Sequence, residues 1–157
     1  MTHFAQFKSA GPIVLETINR HIKDWDPGAL DSEREYEASL YWFLHEVMAD
    51  TQITRQFAVG RVRADIVVGD HTLIEVKNCL DTTGKYHRLI GQITDFEDWG
   101  GDILIVLCGL TDPHLRKKLV AHLKSGRIDP ARRVRVIEKK TDRVEWESLA
   151  RFPAIRL

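Results

Sequence analysis

The sequence predicts an α/β sandwich with a mixed sheet, and three observations carry that expectation. Apolar residues recur at helical spacing in four segments, beginning near Pro12, Ser32, Lys85 and Thr111. Between residues 53 and 76, short β-prone runs are joined by tight-turn residues. The run Ile103-Leu-Ile-Val-Leu-Cys108 is apolar on both faces, as a strand central in a covered sheet should be. With 157 residues, 43% of them hydrophobic, the chain can bury one sizeable core, so a single domain over 1–157 is expected.

The first helix is expected over Pro12 to Lys23, with proline at the first helical position and Ile13, Val14, Ile18 and Ile22 recurring at helical spacing. Asp26-Pro27-Gly28 stops it. The second has the clearest start signal in the chain: Ser32 with Glu35 three residues later forms a capping box, and Tyr36, Leu40, Phe43, Leu44 and Val47 line one face to about Ala49. Strands follow over Ile53 to Val59, Arg61 to Val68 and Thr72 to Val76, the last two joined by a Gly69-Asp70 turn. A helix over Lys85 to Trp99 presents Tyr86, Leu89, Ile90, Ile93 and Phe96, and Gly100-Gly101 closes it. After the central strand, Thr111-Asp112-Pro113 caps a helix running to about Lys124, and Val134 to Glu138 and Val144 to Trp146 read as edge strands. The expected order is ααβββαβαββ.

Composition excludes several classes. The longest uncharged apolar stretch, Ile103 to Thr111, is far below the roughly 20 residues of a membrane helix, so no membrane association is expected. Met1 to Lys8 lacks a cationic flank leading into an apolar run, and a cytoplasmic location is the expectation. Cys79 and Cys108 stand far apart with no CxxC and no nearby histidine cluster, so neither a disulfide framework nor a structural zinc site is indicated. Net charge is zero, but it is segregated: Glu16 to Asp50 holds nine acids against three bases, and His114 to Arg143 eleven bases against three acids. That division suits a protein that holds cations in one place and touches an anionic backbone in another, although a solvated charged face more often accounts for each run separately.

The chemistry concentrates on the hairpin. Strand period two puts Glu75 and Lys77 on one face, and the tight turn brings Asp65 back beside them. Magnesium is bound through one or two carboxylates plus waters and substrate phosphate, which Asp65 and Glu75 can provide, with the Val76 carbonyl as a third donor. A lysine two residues along can orient or deprotonate the attacking water and offset charge developing on phosphorus-bound oxygens. The alternative is a solvated strand face with a weak ion pair. On the second helix, with Leu40 at zero, Glu33 falls near 20 degrees and Glu37 near 60, both toward the apolar side, so a metal, an arginine such as Arg63, or protonation is expected to compensate them. Lys85, Arg88 and Gln92 recur at i, i+3 and i+7 as a polar stripe that can meet phosphate, or that merely borders an amphipathic helix.

An early-helix Glu, then Asp65-x9-Glu75-Val76-Lys77, then Gln92-x-x-x-Phe96 resembles the PD-(D/E)XK nuclease superfamily over roughly Ser32 to Cys108, and the Gln helix is similar to that of its RecB-like members. The resemblance implies a restriction endonuclease-like αβββαβ core over 32–108, with a mixed central sheet flanked by helices. An N-terminal helical extension over 1–30 and a C-terminal helix plus edge strands over 109–157 would complete it. It implies a magnesium-dependent deoxyribonuclease, manganese substituting, that hydrolyses DNA to 5′-phosphate products. Asp65, Glu75, Lys77, Glu37 and Gln92 would be catalytic; Asp65, Glu75, Val76 and Glu37 or Glu33 would hold metal; and Arg63, Lys85, Arg88 and Gln92 would contact DNA. Glu33-Arg34-Glu35 resembles the archaeal Holliday junction resolvase pattern, whereas Glu37 followed by Leu40 and Leu44 resembles the Mrr-like one. Two departures stand out: Ala64 where proline often precedes the Asp, and Phe96 where tyrosine is commoner. On this reading Lys77→Ala should abolish cleavage and leave the fold nearly intact.

With a single domain expected, target selection would fall to a homodimer, a larger defence or repair complex, or DNA shape. A catalytically inactive nuclease-fold subunit that binds nucleic acid or assembles with such a complex is the alternative, and a small interaction module with an ion-pair network is the third. Cys79 and Cys108 read as small hydrophobes, His87 as a surface residue, and Trp25, Trp42, Trp99 and Trp146 as packing or edge residues, of which an exposed one could stack a base.

Overall fold

The computed structural model describes residues 12–96, 98–125 and 134–141. Four helices, α1 (Pro12–Asp24), α2 (Glu33–Val47), α3 (Thr83–Asp95) and α4 (Pro113–Lys124), flank five strands, β1 (Ile53–Val59), β2 (Val62–Val68), β3 (Thr72–Asn78), β4 (Asp102–Cys108) and β5 (Val134–Lys139). The strands form one sheet in the order β1-β2-β3-β4-β5. β1, β2 and β3 are antiparallel neighbours, while β3, β4 and β5 run parallel, joined through α3 and α4. The fold is therefore α/β with a mixed sheet. The expected strand at Val144 to Trp146 lies outside the described residues.

Two apolar layers hold the sandwich together. Leu15, Ile18 and Ile22 of α1 and Tyr36, Leu40 and Leu44 of α2 pack on Ile66, Ile74, Val76, Leu104 and Val106. On the other face Leu89 and Ile93 of α3 and Leu115 and Leu119 of α4 cover Leu73, Ile103, Ile105 and Leu107. Every residue of β4 is buried, as its unbroken apolar run requires. Among the described residues no helix is long and apolar enough to cross a membrane.

Local chemistry moves several boundaries away from the sequence expectations. β2 starts at Val62 rather than Arg61, because Val59 pairs with Val62 and a two-residue turn consumes Gly60 and Arg61; Gly60 supplies the positive φ (60°). β3 continues past Val76 to Asn78, since parallel pairing with β4 extends to Asn78↔Cys108. α2 ends at Val47, where the Met48 amide caps back to the Leu44 carbonyl. α3 runs over Thr83–Asp95 rather than Lys85 to Trp99: the Thr82 side chain accepts from the Lys85 amide at its start, and the Phe96 amide caps its end. Phe96 and Trp99 still enter the core, but beyond the helix, where the Trp99 indole donates to the Asp102 carbonyl at 3.1 Å.

The start of α2 is held by a compact set of hydrogen bonds. The Ser32 side chain accepts from the Glu35 amide at 3.2 Å, the Glu35 carboxylate accepts from the Ser32 amide at 2.9 Å, and the Tyr36 hydroxyl takes the Leu30 amide at 2.9 Å. These bonds fix the first turn that carries Glu33. Ser32→Ala is expected to lower stability by about 1 kcal/mol in chemical denaturation, the usual effect of deleting such a cap.

Candidate active site

The site begins where β2 and β3 part. Their pairing runs from Val68↔Thr72 to Ile66↔Ile74, and one further step would set Asp65 opposite Glu75. Instead the Asp65 carboxylate accepts the Val76 amide at 2.8 Å, a side chain taking the place of a cross-strand backbone bond. The alternation of β2 breaks at the same point: Ala64 belongs to the α3/α4 layer and Ile66 to the α1/α2 layer. Gln56, flanked by the partners of those two residues on β1, has a positive φ (50°), so both strands are irregular here. Period-two reasoning cannot foresee that reorientation of Asp65.

Glu75 is fully buried, and its carboxylate faces the Asp65 amide and the Lys77 ammonium, neither in full hydrogen-bond geometry. Its Oε1 lies 2.8 Å from the Lys77 ammonium, in ion-pair contact rather than directed hydrogen-bond geometry. Lys77 Nζ also donates to Glu33 Oε1 at 3.0 Å, and the Asn78 amide donates to Glu33 Oε2 at 3.3 Å. Lys77 thus sits between a buried carboxylate and a half-exposed one. Burial alone would lower the Lys77 pKa, but Glu75, Glu33 and Asp65 outweigh it and raise it, so the amine stays charged. Deprotonating a water, one of the two roles the sequence offers Lys77, does not fit a cation so held; orienting one does.

Burial pushes the Glu75 pKa up against the pull of Lys77. The Asp65 carboxyl is pushed up to about 7 from 3.8, by burial first and the Glu75 carboxylate second, with the Val76 amide and Lys77 opposing. A folded-state pKa above the unfolded one means that the native state keeps a proton the unfolded chain has released. Between about pH 4 and pH 7 this group therefore costs stability progressively as pH rises. In thermal melts of metal-free protein, Asp65→Asn should gain more over wild type at pH 7.5 than at pH 5. An equal difference at both values would contradict the assigned environment.

Glu37, also buried, is compensated by Arg55, whose Nε and Nη2 both lie 3.0 Å from Oε1. This corrects the sequence expectation of Arg63, which is exposed on β2 and lines neither cleft of the site. Arg55 shares a side of β1 with Ile53, two residues away, and that period-two relation was the available signal. One open cleft of about 610 Å³ is lined by Glu33, Arg34, Glu37, Arg55, Gln56 and Asp65. A smaller one of about 140 Å³ is lined by Glu33, Lys77, Asn78, Lys85, Arg88 and Gln92, and the two meet at Glu33. In the small cleft the Gln92 Oε1 is buried without a hydrogen bond, Arg88 is exposed, and the Lys85 ammonium is held by Asp81 at 2.7 Å and the Cys79 carbonyl at 2.9 Å.

Both early-helix glutamates therefore border the large cleft with Asp65, while Glu33 alone touches Lys77. Val76 contributes its amide, through Asp65. Gly109, just after β4, has φ 68°, and a Cβ there would lie 2.7 Å from Asn78 Oδ1. Burial drives the Cys108 thiol up to about 12, which suits a packing role. Among the described residues no three His, Cys, Asp or Glu side chains gather as a metal-binding group. What is present is a pair of buried carboxylates, Asp65 and Glu75, and that set suits a hard oxygen-seeking cation completed by water and phosphate better than a zinc-like ion.

No family model, curated protein or solved structure matches the chain.

Proposed function

We propose that this protein is a magnesium-dependent deoxyribonuclease of the PD-(D/E)XK type, with a restriction endonuclease-like core from α2 to β4. The observation that carries the reading is the fully buried Glu75, whose carboxylate stands beside Lys77 and near Asp65 where the hairpin splays, with no donor in full hydrogen-bond geometry among the described residues. A carboxylate in that position is unfavourable for folding by several kcal/mol unless a cation compensates it, and Lys77 is shared with Glu33. The αβββαβ element order over α2 to β4 supports the same reading.

Asp65 and Glu75 would hold the magnesium, with Glu33 or Glu37 nearby at the cleft. Bound there, magnesium would lower the pKa of a water and draw charge from the phosphate oxygens. Lys77, fixed by two carboxylates, hydrogen-bonds the attacking water and balances charge as its oxygen bonds to phosphorus. The attacking water gives up a proton to solvent, and the phosphodiester oxygen leaves with the bonding pair of the broken P–O bond and takes up a proton, giving a phosphate monoester and an alcohol. Arg88 and the Gln92 side chain, in the adjoining cleft, would meet the nucleic-acid backbone.

The test incubates the full chain with labelled linear, circular, single-stranded and four-way-junction DNA, with magnesium and with chelator. Cleavage of at least one substrate in magnesium only supports the proposal. Equal cleavage in chelator contradicts it, as does no cleavage in either magnesium or manganese.

A further inference from the structure

Where β2 parts from β3, it leaves backbone donors behind. The Cys79 amide bonds the Cys108 carbonyl on the β4 side, so the alternate amides of Val76 and Asn78 aim at the side from which β2 has parted. Acidic side chains take them up: Asp65 accepts the Val76 amide at 2.8 Å, and Glu33 accepts the Asn78 amide at 3.3 Å. The two acids are not held alike. Asp65 belongs to the adjoining strand, whereas Glu33 reaches over from the first turn of α2 with 45% of its side chain exposed.

Glu33 also stands where two clefts of different character meet. The large one sets it with Glu37 and Asp65 against Arg34 and Arg55. The small one is lined by Lys77, Lys85 and Arg88, and among the described residues Glu33 is the one acid in that lining. One Glu33 oxygen accepts from the Lys77 ammonium at 3.0 Å and the other from the Asn78 amide, so an oxyanion already fills a cradle made of a cation and a main-chain donor. A phosphate asks for the same donors, and a like charge in the cradle keeps it out. A carboxylate spends both its oxygens on Lys77 and Asn78, while a phosphate has further oxygens for the exposed Arg88 of the same cleft.

We propose that the Lys77 ammonium and the Asn78 amide, with Arg88, form a subsite for one phosphate of the substrate, and that the Glu33 carboxylate is its internal gate. The inference rests on the nuclease reading and assigns Glu33 to the regulation of that site, not to the metal. A half-exposed carboxylate can turn out to water without uncovering the core, and Lys77 stays tethered to the buried Glu75 at 2.8 Å as it goes.

The test titrates orthophosphate and the diester thymidylyl-thymidine into the isotope-labelled full chain, in chelator, and follows the Asn78 amide resonance. Glu33→Ala should bind both ligands about tenfold more tightly than wild type, the scale of one charge-assisted hydrogen bond returned to the ligand. Glu33→Gln keeps the side-chain shape without its charge and should gain in the same direction, which separates the gate from any fraying of α2. Combined with Lys77→Met, Glu33→Ala should change either affinity less than about twofold, because the gain passes through that ammonium; a general relief of negative charge would persist there. Equal phosphate affinity in wild type and Glu33→Ala overturns the gate, as does a gain undiminished beside Lys77→Met. Loss of magnesium binding in Glu33→Ala also overturns it, by making Glu33 a metal ligand. A wild-type chain that cuts DNA, with no response of Asn78 to either ligand in any variant, overturns the subsite and leaves the nuclease reading standing. Tighter binding of both ligands by Glu33→Ala in a chain that cuts no DNA supports the gate and overturns the nuclease reading.

Discussion

Lys77→Met is expected to reduce magnesium-dependent DNA cleavage by about a thousandfold or more, the scale associated with losing a positioned donor at a developing negative charge. Methionine keeps the length and apolar stem, while the ammonium between Glu75 and Glu33 disappears. The fold does not escape untouched, which revises the sequence expectation for Lys77→Ala. Breaking a buried pair leaves the remaining charge uncompensated, an effect of about 3–5 kcal/mol when that charge stays ionised. Glu75, its pKa already raised by burial, can avoid part of this by holding a proton. The stability deficit should therefore be small at pH 5 and grow toward pH 8, because a raised carboxylate pKa means stability is lost as pH rises through it. Denaturant unfolding at the two pH values checks this. Undiminished cleavage would remove Lys77 from the mechanism.

The second large effect has opposite signs in stability and in activity. Glu75→Gln should abolish detectable cleavage and raise the stability of the metal-free protein by about 1–2 kcal/mol, since a neutral amide replaces a buried carboxylate with an unsatisfied oxygen. Lys77 keeps Glu33 as its partner, so the substitution strands no cation. Adding magnesium should raise the melting temperature of wild type and leave that of Glu75→Gln unchanged. A variant that is less stable in chelator and still cleaves would contradict both halves. Stored instability of this kind is expected where function needs a charge that folding alone would not place there.

What the sequence discloses about the fold and the site depends on the range of the interaction involved. Local signals were readable: Ser32 and Glu35 make the capping box, and the β4 run is buried throughout, because each depends on neighbours within a few residues or on composition alone. The pairing of Glu75 with Lys77 followed from strand period two and appears at 2.8 Å. What the pattern could not give was the irregularity at Gln56 and Asp65, since an L residue at positive φ is set by tertiary packing and not by its own preference. The same limit explains Arg55: a half-buried arginine on an edge strand looks like any surface cation until α2 lies across it. Glu33 and Glu37 were both read as facing inward, but only the packing of α2 divides them, one toward Lys77 and one toward Arg55.

The proposed mechanism requires Asp65 and Glu75 together to accept a divalent cation. Isothermal titration of magnesium, and of manganese, into wild-type protein and into Asp65→Ala measures that step without any substrate. Saturable heat is expected for wild type, accompanied by proton release at pH 6.5 as the raised Asp65 carboxyl ionises, and none for the variant. Identical traces from the two proteins, or no binding by wild type at millimolar concentrations of either ion, would contradict the proposed metal site and the nuclease chemistry built on it.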